Sequence, residues 1–527
     1  MRKNLNKKLG ERLNALLPCL IALASGILMG LTVAPVGAWF LAWIALVPLW
    51  VLVVTSVPGT KPYPRLLGFA WGIGYHGVAI SWITGIHPMT WLGVPWLPSL
   101  IITLACWGFI SLWGGIFVGV WAVIMARLVR QKSWLRVLIG TAIWCGLESL
   151  WSAGPLWWSS LAYTQSPHNL VILHLGQLSG ANAVTAAIAS VNGLIAEGWI
   201  HQKNKKNSFA FPWLLNHYTY ATILIISLHL IGLIFYNRPI AEPPSTALKI
   251  GIIQGNIPNK LLLSSAGFSR ALENYTNGYT TLADQGVNAV LTPEGALPVF
   301  QRDLMQTAFI SAVREKNVVA WIGAFGERGQ SYTISLFTVN NQGEITSRYD
   351  KAKLVPLGEY IPFESILGGI IQRLSPLNAH QIPGSVNQIF DTPFGRAIVG
   401  ICYESAFPEQ FRRQAAAGGE FILSSSNDAH YSASMPFQHH AQDIMRAIET
   451  DRWSARATNT GYSAFVNPHG KTLWFSGYNT YETHAATIYR RQTQTLYVRW
   501  GDWLTPLLLG LGALGWGINI YTHRSEN

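Results

Sequence analysis

Long apolar stretches dominate the first 236 residues of the chain and return in its last 25. A helix that crosses a bilayer needs about 20 predominantly apolar residues. On this criterion we predict eight spans, seven before a long insert and one after it. The predicted bounds are 14–34, 37–55, 66–84, 97–126, 135–152, 169–199, 218–236 and 503–522. The hydropathy pattern therefore predicts a polytopic α-helical membrane domain with eight transmembrane helices.

The insert between the seventh and eighth spans has a different pattern. Short strand-like runs, such as ALKIGIIQG at 247–255 and RAIVGIC at 396–402, alternate with amphipathic helix-like runs. Such alternation is typical of a layered α/β domain. We therefore predict a membrane domain at 1–236, an α/β domain at 237–500, and a final span with a short tail at 501–527.

The positions of Lys and Arg predict the orientation of the chain. Basic residues cluster before the first predicted span and after the second, fourth and sixth, whereas the loops at 85–96 and 153–168 contain none. Because basic loops stay on the cytoplasmic side, both termini are expected in the cytoplasm and the insert outside it. The net charge of +12 follows from these clusters, and we find no nucleic-acid-binding signal.

Composition supports the membrane assignment, and the positions of the cysteines leave one thiol outside the predicted spans. Half of the residues are hydrophobic (50%) and only 12% are charged, which is unusual for a soluble protein. The four Cys are too few for a disulfide scaffold, and Cys19, Cys106 and Cys145 lie in predicted spans. Cys402 is the one cysteine outside them.

Cys402 lies where an apolar strand gives way to a turn, before the helix-like PEQFRRQAAAG. At such a junction a thiol can project from a sheet edge, and the backbone N–H of Tyr403 can face an oxyanion. The alternative is a buried, inert cysteine.

Two other stretches place ionisable groups in similar surroundings. The strand-like NAVLT runs into Glu294, and Lys351 and Glu359 bracket a loop that contains Pro and Gly. A cysteine nucleophile needs a base for its proton and donors for the oxyanion, which Glu and Lys can supply. Alternatively, Glu294 is a turn carboxylate, and Lys351 with Glu359 is an exposed ion pair worth about 0.5 kcal/mol.

The order Glu, Lys, Cys resembles the nitrilase, or carbon-nitrogen hydrolase, superfamily, and most closely its membrane branch, the apolipoprotein N-acyltransferase family. The resemblance covers nearly the whole chain, and eight spans with an external domain after the seventh is that family's layout. The motifs that carry it are QGNIP at 254–258, PEGALP at 293–298, YDKAKLVPLGEYIP at 349–362, GICYESAFP at 400–408, SNDAHY at 426–431, MRAIETDR at 445–452, ATNTGYSAFVNPHGK at 457–471 and YVRWGDW at 497–503.

The resemblance implies a nitrilase-like αββα sandwich for the α/β domain and a role for six residues. These are Glu294 as general base, Lys351 as oxyanion stabiliser, Cys402 as nucleophile, Glu359 as a second carboxylate of the site, and Tyr403 and Glu404 as supports. Lys353 is the rival lysine. We prefer Lys351 because the family's lysine follows an aromatic and one variable residue.

The function implied is transfer of a fatty acyl chain from a phospholipid, through a cysteine thioester, to the N-terminal S-diacylglyceryl-cysteine of apolipoproteins. The implied location is the inner membrane, with the catalytic domain in the periplasm. We expect a monomer without cofactor or metal. A membrane-tethered amidase and a non-catalytic lipoprotein-binding protein are the alternatives. Glu148 and Glu197, the one hint of transport, are better interpreted as span-end residues.

Some positions depart from the family pattern, which bears on pocket shape more than on the reaction. They are Thr292, Leu261, Leu262, Leu263, Thr333 and His430. His430, His439 and His440 could suggest a metal site, but adjacent His side chains on a helix point apart. The apolar segments 296–300 and 361–371 either form a mobile arm that keeps water from the thioester or pack as ordinary core.

Overall fold

The computed structural model describes residues 2–56, 62–204, 216–258, 261, 264–356, 358–360 and 381–525. The chain divides into two compact units. The first comprises Met1–Thr84, Ile102–Asn237 and Asp502–Asn527, and the second comprises Gly85–Ile101 and Arg238–Gly501.

The first unit is helical, because its long apolar segments satisfy their backbone hydrogen bonds internally. Its helices are α1 Arg2–Gly30, α2 Val47–Val54, α3 Pro64–Ala79, α4 Trp96–Arg127, α5 Ser133–Ala153, α6 Leu170–Leu173, α7 Gly176–Ser179, α8 Ala181–Asn204, α9 His217–Tyr236 and, near the end of the chain, α16 Leu504–Ser525. The first residues of α4 belong to the second unit. Within the described residues, four helices are long and apolar enough to cross a bilayer: Trp96–Arg127, Ala181–Lys203, His217–Tyr236 and Leu504–Thr522.

Three of the predicted spans are not continuous helices, and that part of the prediction was wrong. The segment 66–84 runs past the end of α3 at Ala79 into a 3-10 turn at Ser81–Ile86. The segment 37–55 forms a 3-10 turn at Trp39–Trp43 followed by α2, whose 8 residues reach only about 12 Å. The segment 169–199 is broken into α6, α7 and α8, with Gly180 at φ +69° between the last two. The hydropathy pattern does not show where the backbone of an apolar segment breaks. The count of eight crossings stays a prediction.

The two carboxylates of the predicted spans have partners within the first unit. Glu148 is buried and accepts hydrogen bonds from the hydroxyls of Ser160 at 2.7 Å and Thr185 at 2.9 Å. Glu197 is buried and forms an ion pair with Arg136. Both groups therefore serve the packing of this unit.

The described part of the second unit contains two six-stranded sheets, ordered β12-β1-β2-β3-β4-β5 and β11-β10-β9-β8-β7-β6. The strands are β1 Ala247–Gln254, β2 Ala289–Leu291, β3 Val319–Arg328, β4 Ser331–Val339, β5 Ile345–Asp350, β6 Phe390–Thr392, β7 Gly395–Ile401, β8 Phe421–Ser426, β9 Ser454–Thr458, β10 Ala464–Val466, β11 Thr472–Phe475 and β12 Glu482–Tyr489. Their inner faces share one apolar core, in which Trp321 and Phe421 have ring centroids 5.9 Å apart.

Helices cover the outer faces of both sheets. They are α10 Ser265–Asp284, α11 Gln301–Leu304 and α12 Ala308–Lys316 beside the first sheet, and α13 Pro408–Ala416, α14 Ser434–Thr450 and α15 Leu496–Trp500 beside the second. Buried residues such as Tyr279 and Phe309 pack α10 and α12 on one side, and Phe411 packs α13 on the other. The unit is thus an αββα sandwich, as the resemblance implied.

Strand direction brings the ends of several strands to common edges. β1, β2 and β3 are parallel, and two antiparallel steps return β5 to the same direction. β7, β8 and β9 are parallel in the other sheet. Ligand sites in such sheets form outside the carboxyl ends of the strands. Glu294, Lys351 and Cys402 follow the ends of β2, β5 and β7.

Candidate active site

Cys402 occupies a strained turn at the end of β7. Its φ is +53°, in the left-handed region that non-glycine residues rarely adopt, and it begins the 3-10 turn Cys402–Ala406. Such a conformation costs on the order of 1–3 kcal/mol and persists only where surrounding contacts hold it. Its side chain is buried, with 5% of the residue exposed.

Lys351 lies between two carboxylates. Its Nζ is 2.7 Å from Oε1 of Glu294 and 2.6 Å from Oε1 of Glu359, and the lysine is 0% exposed. Burial acts to lower the pKa of Lys351, but the negative charges of Glu294 and Glu359 outweigh it and raise that pKa well above its usual value. The ammonium is therefore charged at neutral pH.

Glu294 is held on both of its oxygens. Oε1 accepts from Lys351, and Oε2 accepts the backbone N–H of Asn427 at 3.0 Å. The preceding Thr292 is buried, and its Oγ1 accepts the Gly323 N–H at 3.0 Å. The turn that carries the carboxylate is thus fixed to β3 and to the residue after β8.

Glu359 completes the charge arrangement. Its Oε2 accepts the Val355 N–H at 2.8 Å, which folds the loop after β5 back on itself. Burial raises the pKa of Glu359, an effect that Lys351 opposes and Glu294 reinforces. Two carboxylates therefore share one ammonium, and all three charges act on the Cys402 thiol.

The same charges act on Cys402. Burial raises the pKa of the thiol well above its usual value, the negative charge of Glu294 raises it further, and Lys351 lowers it. The resting thiol is therefore protonated at neutral pH. A nucleophile in this state needs a neighbouring base to take its proton during attack, and Glu294 is the carboxylate with the largest effect on it.

Glu404 joins the cysteine turn to the lysine loop. Its carboxylate accepts the N–H of Ile401 at 2.8 Å, of Ala352 at 2.6 Å and of Lys353 at 3.1 Å, and the hydroxyl of Tyr349 at 3.2 Å. Burial raises the pKa of Glu404, while its hydrogen bonds to backbone and side chains lower it. Its position supports both Cys402 and Lys351.

Tyr403 and Lys353 contact the same aromatic ring. The Tyr403 ring packs edge-on against Phe407 with centroids 5.0 Å apart, and the Lys353 ammonium lies 4.8 Å from the Phe407 ring centroid. Lys351 alone of the two lysines is placed between the site carboxylates. This geometry favours Lys351 over its rival.

A buried polar network, which the sequence did not predict, contacts the backbone of Cys402. His439 Nε2 lies 2.6 Å from the Cys402 carbonyl oxygen, and its Nδ1 lies 3.0 Å from Nη2 of Arg456. Arg456 also donates to Asp428 at 3.1 Å and to Asp443 at 2.5 Å. The motifs SNDAHY and ATNTG mark the neighbourhood, but only the folded chain brings these side chains to the nucleophile.

The metal-ligand set that the structure brings together differs from the three His considered above. Among the described residues, Cys402, Asp428 and His439 place ligand-type atoms within 4.8 Å of one another. The guanidinium of Arg456 already supplies a positive charge to Asp428 and occupies Nδ1 of His439. A second cation there would meet charge repulsion, so these residues do not fit a metal.

The departures from the family pattern have structural partners where they are described. Thr333 donates to Asp350 at 2.9 Å beside Lys351, and burial lowers the pKa of His430 to about 4. Leu262, Leu263 and the segment 361–371 lie outside the described residues. The segment 296–300 is pinned to β3, since Leu297 N–H donates to Gly323 O at 3.1 Å, which favours packing over a mobile arm.

Comparison with known proteins gives two family matches along the chain. The carbon-nitrogen hydrolase model matches residues 249–497, and the model of the apolipoprotein N-acyltransferase N-terminal domain matches residues 25–194.

Other proteins are similar to this chain over almost its entire length. A protein from Nostoc sp. described as apolipoprotein N-acyltransferase is 72% identical over 95% of this chain and 99% of its own length. A protein of the same description from Synechocystis sp. is 49% identical over 93% of this chain and 98% of its own length. Among solved structures, an amidase from Nesterenkonia sp. AN1 is 18% identical with a TM-score of 0.37, over 51% of this chain and 98% of its own.

Proposed function

Because the chain belongs to the apolipoprotein N-acyltransferase family and is a membrane enzyme that N-acylates lipoproteins, we propose that Cys402 carries the acyl group as a thioester. The donor is a phospholipid, and the acceptor is the α-amino group of an S-diacylglyceryl-cysteine. The observation that carries the proposal is the buried Lys351 ammonium, held between Glu294 and Glu359 beside the thiol.

In the first half-reaction, Glu294 takes the proton of the Cys402 thiol as sulfur attacks the ester carbonyl carbon of the phospholipid. The negative charge that develops on the carbonyl oxygen is stabilised by Lys351 and the backbone N–H of Tyr403. The ester C–O bond then breaks, and the departing lysophospholipid oxygen receives the proton from Glu294. A thioester remains on Cys402.

In the second half-reaction, the α-amino nitrogen of the acceptor attacks the thioester carbonyl. Glu294 takes a proton from that nitrogen, the C–S bond breaks, and the sulfur of Cys402 recovers a proton as the N-acylated lipoprotein departs. The low exposure of Cys402 and Lys351, 5% and 0%, favours transfer over hydrolysis because it limits access of water to the thioester.

Glu359 and Glu404 support these steps without contacting the acyl group. Glu359 fixes the Lys351 ammonium in the position where an oxyanion would meet it. Glu404 holds the backbone on both sides of the site, at Ile401 and at Ala352. Preorganised donors of this kind need no rearrangement during the reaction.

The enzyme acts as a monomer in the inner membrane with its αββα unit in the periplasm and both termini in the cytoplasm. The alternation of basic and basic-free loops supports this orientation. Impermeant thiol labelling of spheroplasts tests it, with Glu242→Cys and Tyr521→Cys introduced separately. Residue 242 should react without permeabilisation and residue 521 only after it; the reverse would overturn the orientation.

The substrate assignment is tested with the purified full chain, a phospholipid with a labelled acyl chain and a diacylglyceryl-cysteine peptide. We expect label on the peptide amine and one lysophospholipid released per acyl group transferred. Release of ammonia from small amides with no use of lipid would instead support an amidase. Unchanged function in Cys402→Ala, Glu294→Gln and Lys351→Ala would support a non-catalytic binding protein.

A further inference from the structure

One face of α14 holds the turn that carries Cys402. His439 reaches the carbonyl oxygen of Cys402 at 2.6 Å, and Arg446, two helical turns later on the same face, donates to the carbonyl oxygen of Ser405 at 2.9 Å. Both side chains are fully buried. The two carbonyls belong to the first and fourth residues of the 3-10 turn Cys402–Ala406. α14 therefore forms hydrogen bonds to the turn near both of its ends.

The contacts of His439 determine which ring nitrogen donates to Cys402. A carbonyl oxygen only accepts, so Nε2 must carry the hydrogen that it shares with Cys402. On the other side of the ring, Nδ1 lies 3.0 Å from Nη2 of Arg456 and 3.3 Å from Oδ1 of Asp428. Arg456 in turn contacts Asp428 and Asp443, so buried charged groups fix the ring in the orientation that points Nε2 at the Cys402 carbonyl.

The peptide plane carries the effect of His439 to the other side of the turn. In a trans peptide the C=O of one residue and the N–H of the next are rigidly coplanar and point in opposite directions. Anchoring the Cys402 carbonyl on His439 therefore fixes the direction of the Tyr403 N–H. The same contact holds the left-handed φ of +53° at Cys402.

We propose that His439 is the positioning residue of the oxyanion site: it orients the Tyr403 N–H, and with it the Cys402 sulfur, through the Cys402 carbonyl. The proposal rests on the proposed function, since it needs an oxyanion formed at Cys402. His439 does not contact the acyl group and takes no proton in the reaction. Its contribution is geometric.

The amide of Gln reaches the position of the imidazole Nε2, whereas the amide of Asn reaches only that of Nδ1. His439→Gln can therefore keep the donor to Cys402, and His439→Asn loses it while it can still meet Arg456. His440 provides a matched control, because it is a buried neighbour on the same helix whose Nε2 contacts Thr472 at 2.9 Å.

The test measures two rates on the full-length protein in phospholipid–detergent micelles: thioester formation from phospholipid, and alkylation of Cys402 by iodoacetamide. Alkylation passes through no oxyanion. We expect His439→Asn to slow thioester formation by roughly 10²- to 10³-fold, the effect of losing one oxyanion donor, with a much smaller change in alkylation. His439→Gln should recover most of the rate, and His440→Asn should change neither rate appreciably.

Equal slowing of both rates in His439→Asn, or Gln and Asn variants that behave alike, would overturn the positioning role. A wild-type enzyme that transfers acyl groups without ever forming the thioester would instead overturn the proposed function. A thermal melt of each variant shows whether it is folded. Should His439→Asn not fold, His439→Gln alone decides, because a folded Gln variant with impaired acylation contradicts the proposal.

Discussion

The ammonium of Lys351 lies 2.7 Å from a carboxylate oxygen of Glu294, and the lysine is completely withdrawn from solvent. A carboxylate oxygen of Glu359 lies 2.6 Å from the same ammonium, so one positive charge is paired with two negative charges. The thiol of Cys402 lies close enough to feel all three charges. Changing any one of them should therefore change both the chemistry of the thiol and the stability of the site.

The two charged partners of Cys402 should shift its titration in opposite directions. The negative charge of Glu294 raises the pKa of the thiol and the positive charge of Lys351 lowers it. Glu294→Gln should therefore move the midpoint of Cys402 alkylation to lower pH, and Lys351→Met should move it to higher pH. Both variants should lose acyl transfer. Mass spectrometry of iodoacetamide-treated protein across pH measures the midpoints, and shifts of the same sign would rule out opposing charge effects of Glu294 and Lys351 on the thiol.

Removal of Lys351 should destabilise the αββα unit as well as inactivate it. Lys351→Met leaves two buried carboxylates without their cation, and breaking a buried ion pair in this way costs about 3–5 kcal/mol. Lys353→Met is the matched control, because it removes a contact with the Phe407 ring worth about 0.5–1 kcal/mol and a charge interaction with Glu404, but no buried ion pair. Denaturant unfolding and acyl transfer should both separate the two variants. Comparable losses in both would favour Lys353 as the site lysine.

Glu404 should matter for the geometry of the site despite its distance from the reaction. Glu404→Gln turns a donor toward one of the backbone N–H groups of Ile401, Ala352 or Lys353, at a cost of about 1.5–3 kcal/mol. We expect a lower melting temperature and slower thioester formation. Glu409→Gln, an exposed carboxylate paired with Arg412, should cost less than about 1 kcal/mol. If Glu404→Gln matched that control, the bridging role would be wrong.

A glycine on β3 should control the position of Glu294. A Cβ at Gly323 would overlap the carbonyl oxygen of Pro293, the residue directly before Glu294. Gly323→Ala should therefore displace the Glu294 turn and reduce acyl transfer strongly. In Gly326→Ala on the same strand, the Cβ would meet the side-chain ends of Arg348 and Thr333 and no backbone atom among its nearest contacts. Initial rates for the two variants, compared at equal folded fraction, test whether backbone contact at Gly323 sets the site.

The sequence predicted the features that depend on local pattern. The strand-like runs at 247–255 and 396–402 marked β1 and β7, and NAVLT marked β2, so Glu294 and Cys402 were predicted just after strand ends, where the structure has them. β5, β6, β11 and β12 were missed because they are half-exposed and mix polar with apolar residues, as ITSRYD in β5 does. Pattern alone does not distinguish such edge strands from loops.

Contacts between residues that are distant in sequence could not be predicted from the hydropathy pattern. His439 lies 37 residues from Cys402, and Glu404 accepts hydrogen bonds from a loop about 50 residues earlier. Their residue types gave no hint of these partners, and His439 was considered only as a metal ligand. The broken segments at 37–55 and 169–199 have the same origin, since an apolar run does not reveal where a backbone turns.

The mass of the peptide that contains Cys402 tests the thioester most directly. After incubation with phospholipid alone, this peptide should gain the mass of one fatty acyl chain, which hydroxylamine removes and a diacylglyceryl-cysteine peptide discharges. The adduct should be absent in Cys402→Ala. Continued acyl transfer by Cys402→Ala, or transfer by the wild-type enzyme without any such adduct, would rule out a thioester on Cys402.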